Sequence, residues 1–177
     1  VRHGMLSARK LVLRGRMSGD PDLPGLDLKV SGIGVGLGAF DLGDATLTLA
    51  GAPGRYRASG QFQRGGQRTF HLDAAIAADR KHLVVNADPI ELVLAEGSWR
   101  GTLRDLDIVH RHSVSLGLLR LANRSQRLEA RGIVRIDGED SIEAQLQDFD
   151  LAAVHALIGA GFPLREGRTD THLALSG

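Results

Sequence analysis

The sequence predicts an all-β fold: an elongated, curved antiparallel sheet with one short helix. Three observations carry that prediction. Apolar and polar residues alternate along almost the whole chain, the signature of strands that bury one face. Turn signals interrupt the alternation at short intervals. Helical spacing is confined to a single stretch. Strands joined by such tight turns run antiparallel, because a parallel crossover needs a dozen or more residues.

The strands follow in order. Leu11, Leu13 and Met17 alternate with Val12, Arg14 and Arg16, and are followed by Leu26, Leu28 and Val30, then Ala45, Leu47 and Leu49. Tyr56, Ala58 and Phe62 stand against Arg55, Arg57, Ser59 and Gln61. Next come Phe70, Leu72, Ala74 and Ile76; Leu83 and Val85; and Ile90, Leu92 and Leu94. Leu103, Leu106 and Ile108 precede Leu128, Ala130, Val134 and Ile136, and Ile142, Ala144 and Leu146 close the series. About eleven or twelve strands are expected from this spacing. Gly51-Ala52-Pro53-Gly54, Gly65-Gly66, Asp88-Pro89, Glu96-Gly97-Ser98 and Asp137-Gly138-Glu139-Asp140 are read as the turns between them.

The helix is expected over Leu151, Val154, His155, Leu157 and Ile158, capped by Asp150 and ended by Gly159 and Gly161 before Pro163. It is too short to cover such a sheet, so the apolar face must be closed by more sheet, by a neighbouring segment or by a ligand. The alternation slips phase twice, between Leu103 and Leu106 and between Leu146 and Phe149. Each slip predicts a bulge, and bulges suit a strongly curved sheet.

Composition removes several classes of function. The 177 residues carry 22 Lys+Arg and 21 Asp+Glu, a net charge of +1, so no basic excess supports nucleic-acid binding. There are no cysteines, hence no disulfide, thiolate metal site or cysteine nucleophile. The 23 glycines are about twice ordinary usage, but without a three-residue period they exclude collagen. No apolar run is long enough for a membrane-spanning helix, and Val1 to Lys10 hold no signal-peptide core. The first residue is not Met and the last two follow the strand-like Leu173 to Leu175, so the chain reads as one segment, 1–177, of a longer protein. Within it, sub-units 1–97 and 98–177 can be drawn without a clear linker.

Catalytic constellations are weak. The alternating Gly32-Ile33-Gly34-Val35-Gly36-Leu37-Gly38 lacks the following helix that a dinucleotide site requires, and reads as a strand permitting close backbone approach or a sharp bend. His110 and His112 are read as sharing a strand face, but no third metal ligand is placed by the sequence. Asp105 and Asp107 are read as solvent-facing carboxylates paired with arginines rather than an acid–base pair. No Gly-x-Ser-x-Gly elbow occurs. Arg127, Arg131 and Arg135 belong to the polar face of one strand, balanced by Glu129 and Asp137. The chain is therefore read as non-enzymatic, with no cofactor and no metal.

Three pieces, in this order, resemble a known family. Ser98-Trp99-Arg100-Gly101-Thr102-Leu103 followed by Leu106-Asp107-Ile108 is similar to the W-x-G-x-L-x-x-L-x-L stretch of TamB-like proteins, inner-membrane subunits of the translocation and assembly module in the AsmA-like superfamily. Phe149-Asp150-Leu151-Ala152-Ala153-Val154, then Phe162-Pro163-Leu164-Arg165-Glu166-Gly167 leading to Leu173-Ala174-Leu175-Ser176-Gly177, resembles the family's ending. Leu11-Val12-Leu13-Arg14-Gly15-Arg16-Met17-Ser18-Gly19, closing on Asp20-Pro21, is similar to its repeated units. On this resemblance Trp99, Gly101, Leu103, Phe149, Leu151 and Gly167 are structural motif positions.

The resemblance implies a β-taco, a curled periplasmic sheet with an open hydrophobic groove, in a Gram-negative bacterium. The parent protein would be anchored in the inner membrane outside this segment and would meet a BamA-type outer-membrane barrel, TamA-like. It would carry phospholipids between the membranes and support outer-membrane protein assembly. Leu47, Leu49, Phe70, Leu72, Ile76, Leu83, Val85, Leu92, Leu94, Leu103, Val134 and Ile136 are then the groove candidates, and phospholipid acyl chains the ligand. Two other readings compete. One is a scaffold or chaperone that pairs with outer-membrane protein strands. The other is a carbohydrate-binding β-sandwich, weakened by an aromatic content of 4%, with only Trp99 and Tyr56 offering polar-edged rings.

Overall fold

The computed structural model describes residues 2–3, 6–37, 40–65, 67–94, 97–110, 112–150 and 167–176, and for residues 2, 3, 6, 37, 40, 41, 68, 94, 149 and 150 only the backbone. Among the described residues twelve strands form one antiparallel sheet in chain order. They are β1 (Arg2–His3), β2 (Leu6–Ser18), β3 (Gly25–Leu37), β4 (Phe40–Ala52), β5 (Arg55–Arg64) and β6 (Gln67–Ala78). After them come β7 (His82–Leu94), β8 (Gly97–Val109), β9 (Ser113–Asn123), β10 (Gln126–Arg135), β11 (Ser141–Asp150) and β12 (Arg168–Ser176). The sheet is open, since β1 and β12 are its edges and do not pair with each other. The predicted all-β class is therefore correct. The expected helix, with Leu151, lies outside the described residues.

Register turns the alternation of single strands into rungs that cross the whole sheet. One rung runs Met17, Leu26, Gly51, Tyr56, Ile76, Val85, Leu106, Leu116, Gly132, Ile142, Leu175. The next runs Gly15, Leu28, Leu49, Ala58, Ala74, Ala87, Leu103, Leu119, Ala130, Ala144, Leu173. A third runs Leu13, Val30, Leu47, Gly60, Leu72, Ile90, Gly101, Leu121, Leu128, Leu146, Thr171. Directly opposed residues share a face, so one face is apolar from β2 to β12 and the other carries the charges.

Both predicted phase slips are bulges. Asp105 has φ 52°, Leu103 pairs with Leu119 and Leu106 with Leu116, so β9 slips in step with β8 and the apolar rungs stay aligned. The amide of Asp105 donates to Asn86 Oδ1 at 3.0 Å. In β11, Asp148 has φ 46° where the register with β12 shifts between Leu146 and Phe149. The glycine-rich segment is strand through Leu37, with irregular pairing around Gly34 at φ +59°.

Two expectations need correction. Asp88-Pro89 is not a turn but lies inside β7, where the apolar phase switches from Ala87 to Ile90 and the ladders on both sides shift. Proline has no N–H for the ladder, so it sits where pairing is already interrupted. His110 and His112 are not on a strand face either: they belong to the β8–β9 turn, where the His110 amide donates to the Lys81 carbonyl at 2.8 Å and the His112 amide to the Val109 carbonyl at 3.0 Å.

One apolar cluster centres on Trp99. This side chain, on β8, packs against Leu92 on β7, Leu121 on β9, Leu128 on β10 and Leu146 on β11. A second cluster of Ala74, Ala87 and Ile90 is covered by Phe70, Leu72, Leu103 and Leu119.

Candidate functional site

The candidate site is the apolar face. Leu47 and Leu72 stand on one rung, Leu49 and Leu103 on the next, Ile76 and Val85 on the third. Phe70 pairs with Leu92, Leu83 with Ile108, and Val134 with Val114. Ile136 follows β10, its amide donating to the His112 carbonyl at 2.9 Å. The Leu94 backbone pairs with Gly97, but its side chain lies outside the described residues. Ten of the twelve groove candidates thus stand on strands with their side chains on one face, and Ile136 lies in the turn after β10. Leu119 and Leu121 of β9, passed over by the alternation, belong to that face as well.

Exposure varies across this face in a regular way. Ala87 and Trp99 in the middle strands are buried, at 0% and 3% exposed. Toward the edges the same rungs are open: Leu13 and Met17 are 64% exposed, Leu173 53% and Leu175 67%. A single sheet layer covers its own centre by side-chain overlap and leaves the flanks to water.

The motif positions have distinct jobs. Trp99 packs against Leu92, Leu121, Leu128 and Leu146, side chains from four other strands. Gly101 lies between Ile90 and Leu121, and a Cβ there would overlap the carbonyl oxygen of Arg120 and press on the Leu121 side chain, so only glycine lets the strands close up beneath the ring. Leu103 continues the neighbouring rung. Gly167 precedes β12 with φ +121°, a conformation L-residues rarely adopt. The Phe149 backbone pairs with Thr169, its side chain lying outside the described residues. At the other end of the strands the Tyr56 hydroxyl donates to the Pro24 carbonyl at 2.8 Å and accepts from the Gly54 amide at 3.2 Å, tying two loops together over the apolar face.

The opposite face is a lattice of cross-strand ion pairs. Arg100 meets Glu91 at 2.8 Å, Arg104 meets Asp88 at 2.8 Å, and Arg120 meets Glu129 at 3.0 Å. Arg131 bonds Glu143 at 2.6 Å, and His172 reaches the same carboxylate at 2.7 Å. Those bonds, Arg131 first and His172 second, hold the Glu143 carboxyl down at about 2, and raise Arg131 in return. The Ser125 hydroxyl and the Arg168 guanidinium lower Asp148. Shallow hollows on this face, such as the one walled by Arg57, Asp73, Asp88 and Arg104, are gaps between long side chains.

Asp107 faces His82 Nδ1 at 3.7 Å while Asp105 stands exposed at the bulge, so the two do not converge. Among the described residues no group of three His, Asp or Glu could hold a metal ion, and no helix is long and apolar enough to cross a membrane. What the arrangement can do is hold an elongated apolar ligand along rungs of aliphatic side chains. No family model, curated protein or solved structure matches the chain.

Proposed function

We propose that this chain is a length of a bridge-like lipid carrier, its apolar face accepting phospholipid acyl chains that move between two membranes. One observation carries the reading: two rungs of apolar residues and glycine cross the eleven strands from β2 to β12 and a third crosses ten, ending at Thr171, and among the described residues no second layer lies upon them. Each methylene taken from water contributes about 0.8 kcal/mol, so even a partly seated chain is held by several kcal/mol. Walls of Leu, Val, Ile and Ala with few aromatics vary little along the path, and a chain can slide on them. The TamB-like resemblance supplies the setting: the periplasm, an inner-membrane anchor elsewhere in the parent protein, and an outer-membrane barrel partner.

Photo-crosslinking side chains placed at Leu47, Leu72, Leu103 and Val134 are expected to capture phospholipid, and those at Arg57 and Arg135 are not. Capture from the outward positions alone would overturn the proposal. The scaffold reading draws on a different observation, the outer edge of β12, which pairs only with β11. Crosslinks from Ala174 and Ser176 to unfolded barrel strands, with no lipid captured from the rungs, would favour it.

A further inference from the structure

The charge balance of +1 conceals a division along the sheet. Residues 1–64 hold nine Lys+Arg against five Asp+Glu, while residues 65–177 hold thirteen against sixteen. Two of the five acids, Asp20 and Asp22, are engaged with Arg80 at 3.9 and 3.3 Å. On the polar face the excess collects at one edge. Arg14 on β2 is directly opposite Lys29 on β3, both exposed, and Lys10 and Arg16 flank them on β2, Arg16 standing opposite the exposed Asp27. Among the described residues no carboxylate pairs with Arg14 or Lys29, whereas Arg100, Arg104, Arg120 and Arg131 farther along each hold one. Like charges directly opposite on a sheet are destabilising, so this pair is a standing demand for an external anion.

The same strand is apolar on its other side. Leu11, Leu13 and Met17 are 55%, 64% and 64% exposed, and from Lys10 to Ser18 β2 has no outer partner strand among the described residues. Cations on one side of a free edge and large aliphatics on the other fit a boundary where phosphates and hydrocarbon meet. An acidic peptide would satisfy the charges and leave Leu13 and Met17 in water.

We propose that the β2 edge docks on the surface of an anionic phospholipid bilayer, Arg14 and Lys29 meeting phosphates while Leu11, Leu13 and Met17 dip into the acyl boundary. This docking is separate from carriage of lipid along the rungs. Flotation of the chain with vesicles of phosphatidylcholine alone, and of phosphatidylcholine mixed with phosphatidylglycerol, tests it. Binding is expected only to the mixed vesicles and should weaken steeply with salt. Arg14→Glu should lower it by on the order of tenfold. Its thermal stability should hold or rise, because the new carboxylate faces Lys29. Leu13→Ser with Met17→Ser should also weaken binding, and Arg127→Glu, an exposed arginine on β10, should leave it unchanged. Equal binding to neutral vesicles, insensitivity to Arg14→Glu, or equal loss in Arg127→Glu would overturn the proposal, as would displacement from vesicles by polyglutamate at matched charge. Lipid capture at Leu103 should persist in Arg14→Glu, so a failed groove and a failed docking edge give different results.

Discussion

A side chain at Gly101 has nowhere to go, because the first carbon beyond Cα meets the Arg120 carbonyl oxygen of the neighbouring strand. Gly60, on the same rung three strands away, has only the Leu47 Cδ1 atom at 3.5 Å. Gly101→Ala is therefore expected to destabilise by about 2 kcal/mol or more through forced separation of β8 and β9, whereas Gly60→Ala should be neutral or stabilising by up to about 1 kcal/mol from reduced unfolded-state entropy. Urea titration of the two variants checks the contrast, and equal losses would remove the close-approach account. Glu143 poses a question of pH. Its carboxyl is held at about 2 against an ordinary 4.5, so the contribution of its bonds to Arg131 and His172 is complete above about 4.5 and is lost as pH falls toward 2. Glu143→Gln should flatten the acid sensitivity of amide exchange in the paired segments of β11 and β12 within that window while leaving exchange in β5 and β6 unaltered. An unchanged acid limb at β11 would show that the bonds to Glu143 contribute nothing in solution.

At the scale of elements, Trp99 touches β7, β9, β10 and β11 together. Its removal should cost about 3 kcal/mol, the low end for a buried aromatic because the face above it is open. Trp99→Phe should recover most of that. Chemical denaturation measures both, and a Trp99→Ala loss confined to a few tenths would mean the ring contributes little to holding these strands together. Period-two alternation made most strands and their faces legible, and the parity switches at Leu103–Leu106 and Leu146–Phe149 located bulges to within two residues. β9 was hidden because Leu116, Leu118 and Leu119 occupy both phases; its slip at Gly117 matches the one at Asp105, and only the pairing reveals that they cancel. Asp88-Pro89 was misread because the dipeptide that ends strands elsewhere here interrupts one. The candidate face was legible strand by strand, but its continuity was not, since register is a property of pairs.

For the whole molecule the unusual quantity is how little is buried: among the described residues only Val35, Tyr56, Ala74, Ala87, Ile90 and Trp99 form the hydrophobic core, in a chain that is 42% apolar. Stability in such a sheet comes from nearest-neighbour ladders and from whatever lies on the open face. A ligand that binds the folded sheet and not the unfolded chain adds RT ln(1 + [L]/Kd), about 2.7 kcal/mol at a hundredfold excess over Kd. Lysophospholipid below its critical micelle concentration should accordingly raise the melting temperature in proportion to the logarithm of its concentration. Calorimetry should give a negative heat-capacity change on binding, the mark of apolar burial. Leu72→Asp with Leu103→Asp places two carboxylates on adjacent rungs, each of which a bound acyl chain would have to desolvate. Both the thermal shift and the heat-capacity signal should then vanish, while Arg57→Asp on the opposite face keeps them. A shift of equal size in all three proteins would place the lipid elsewhere. Loss in the rung variant alone would place the bound lipid on the apolar rungs.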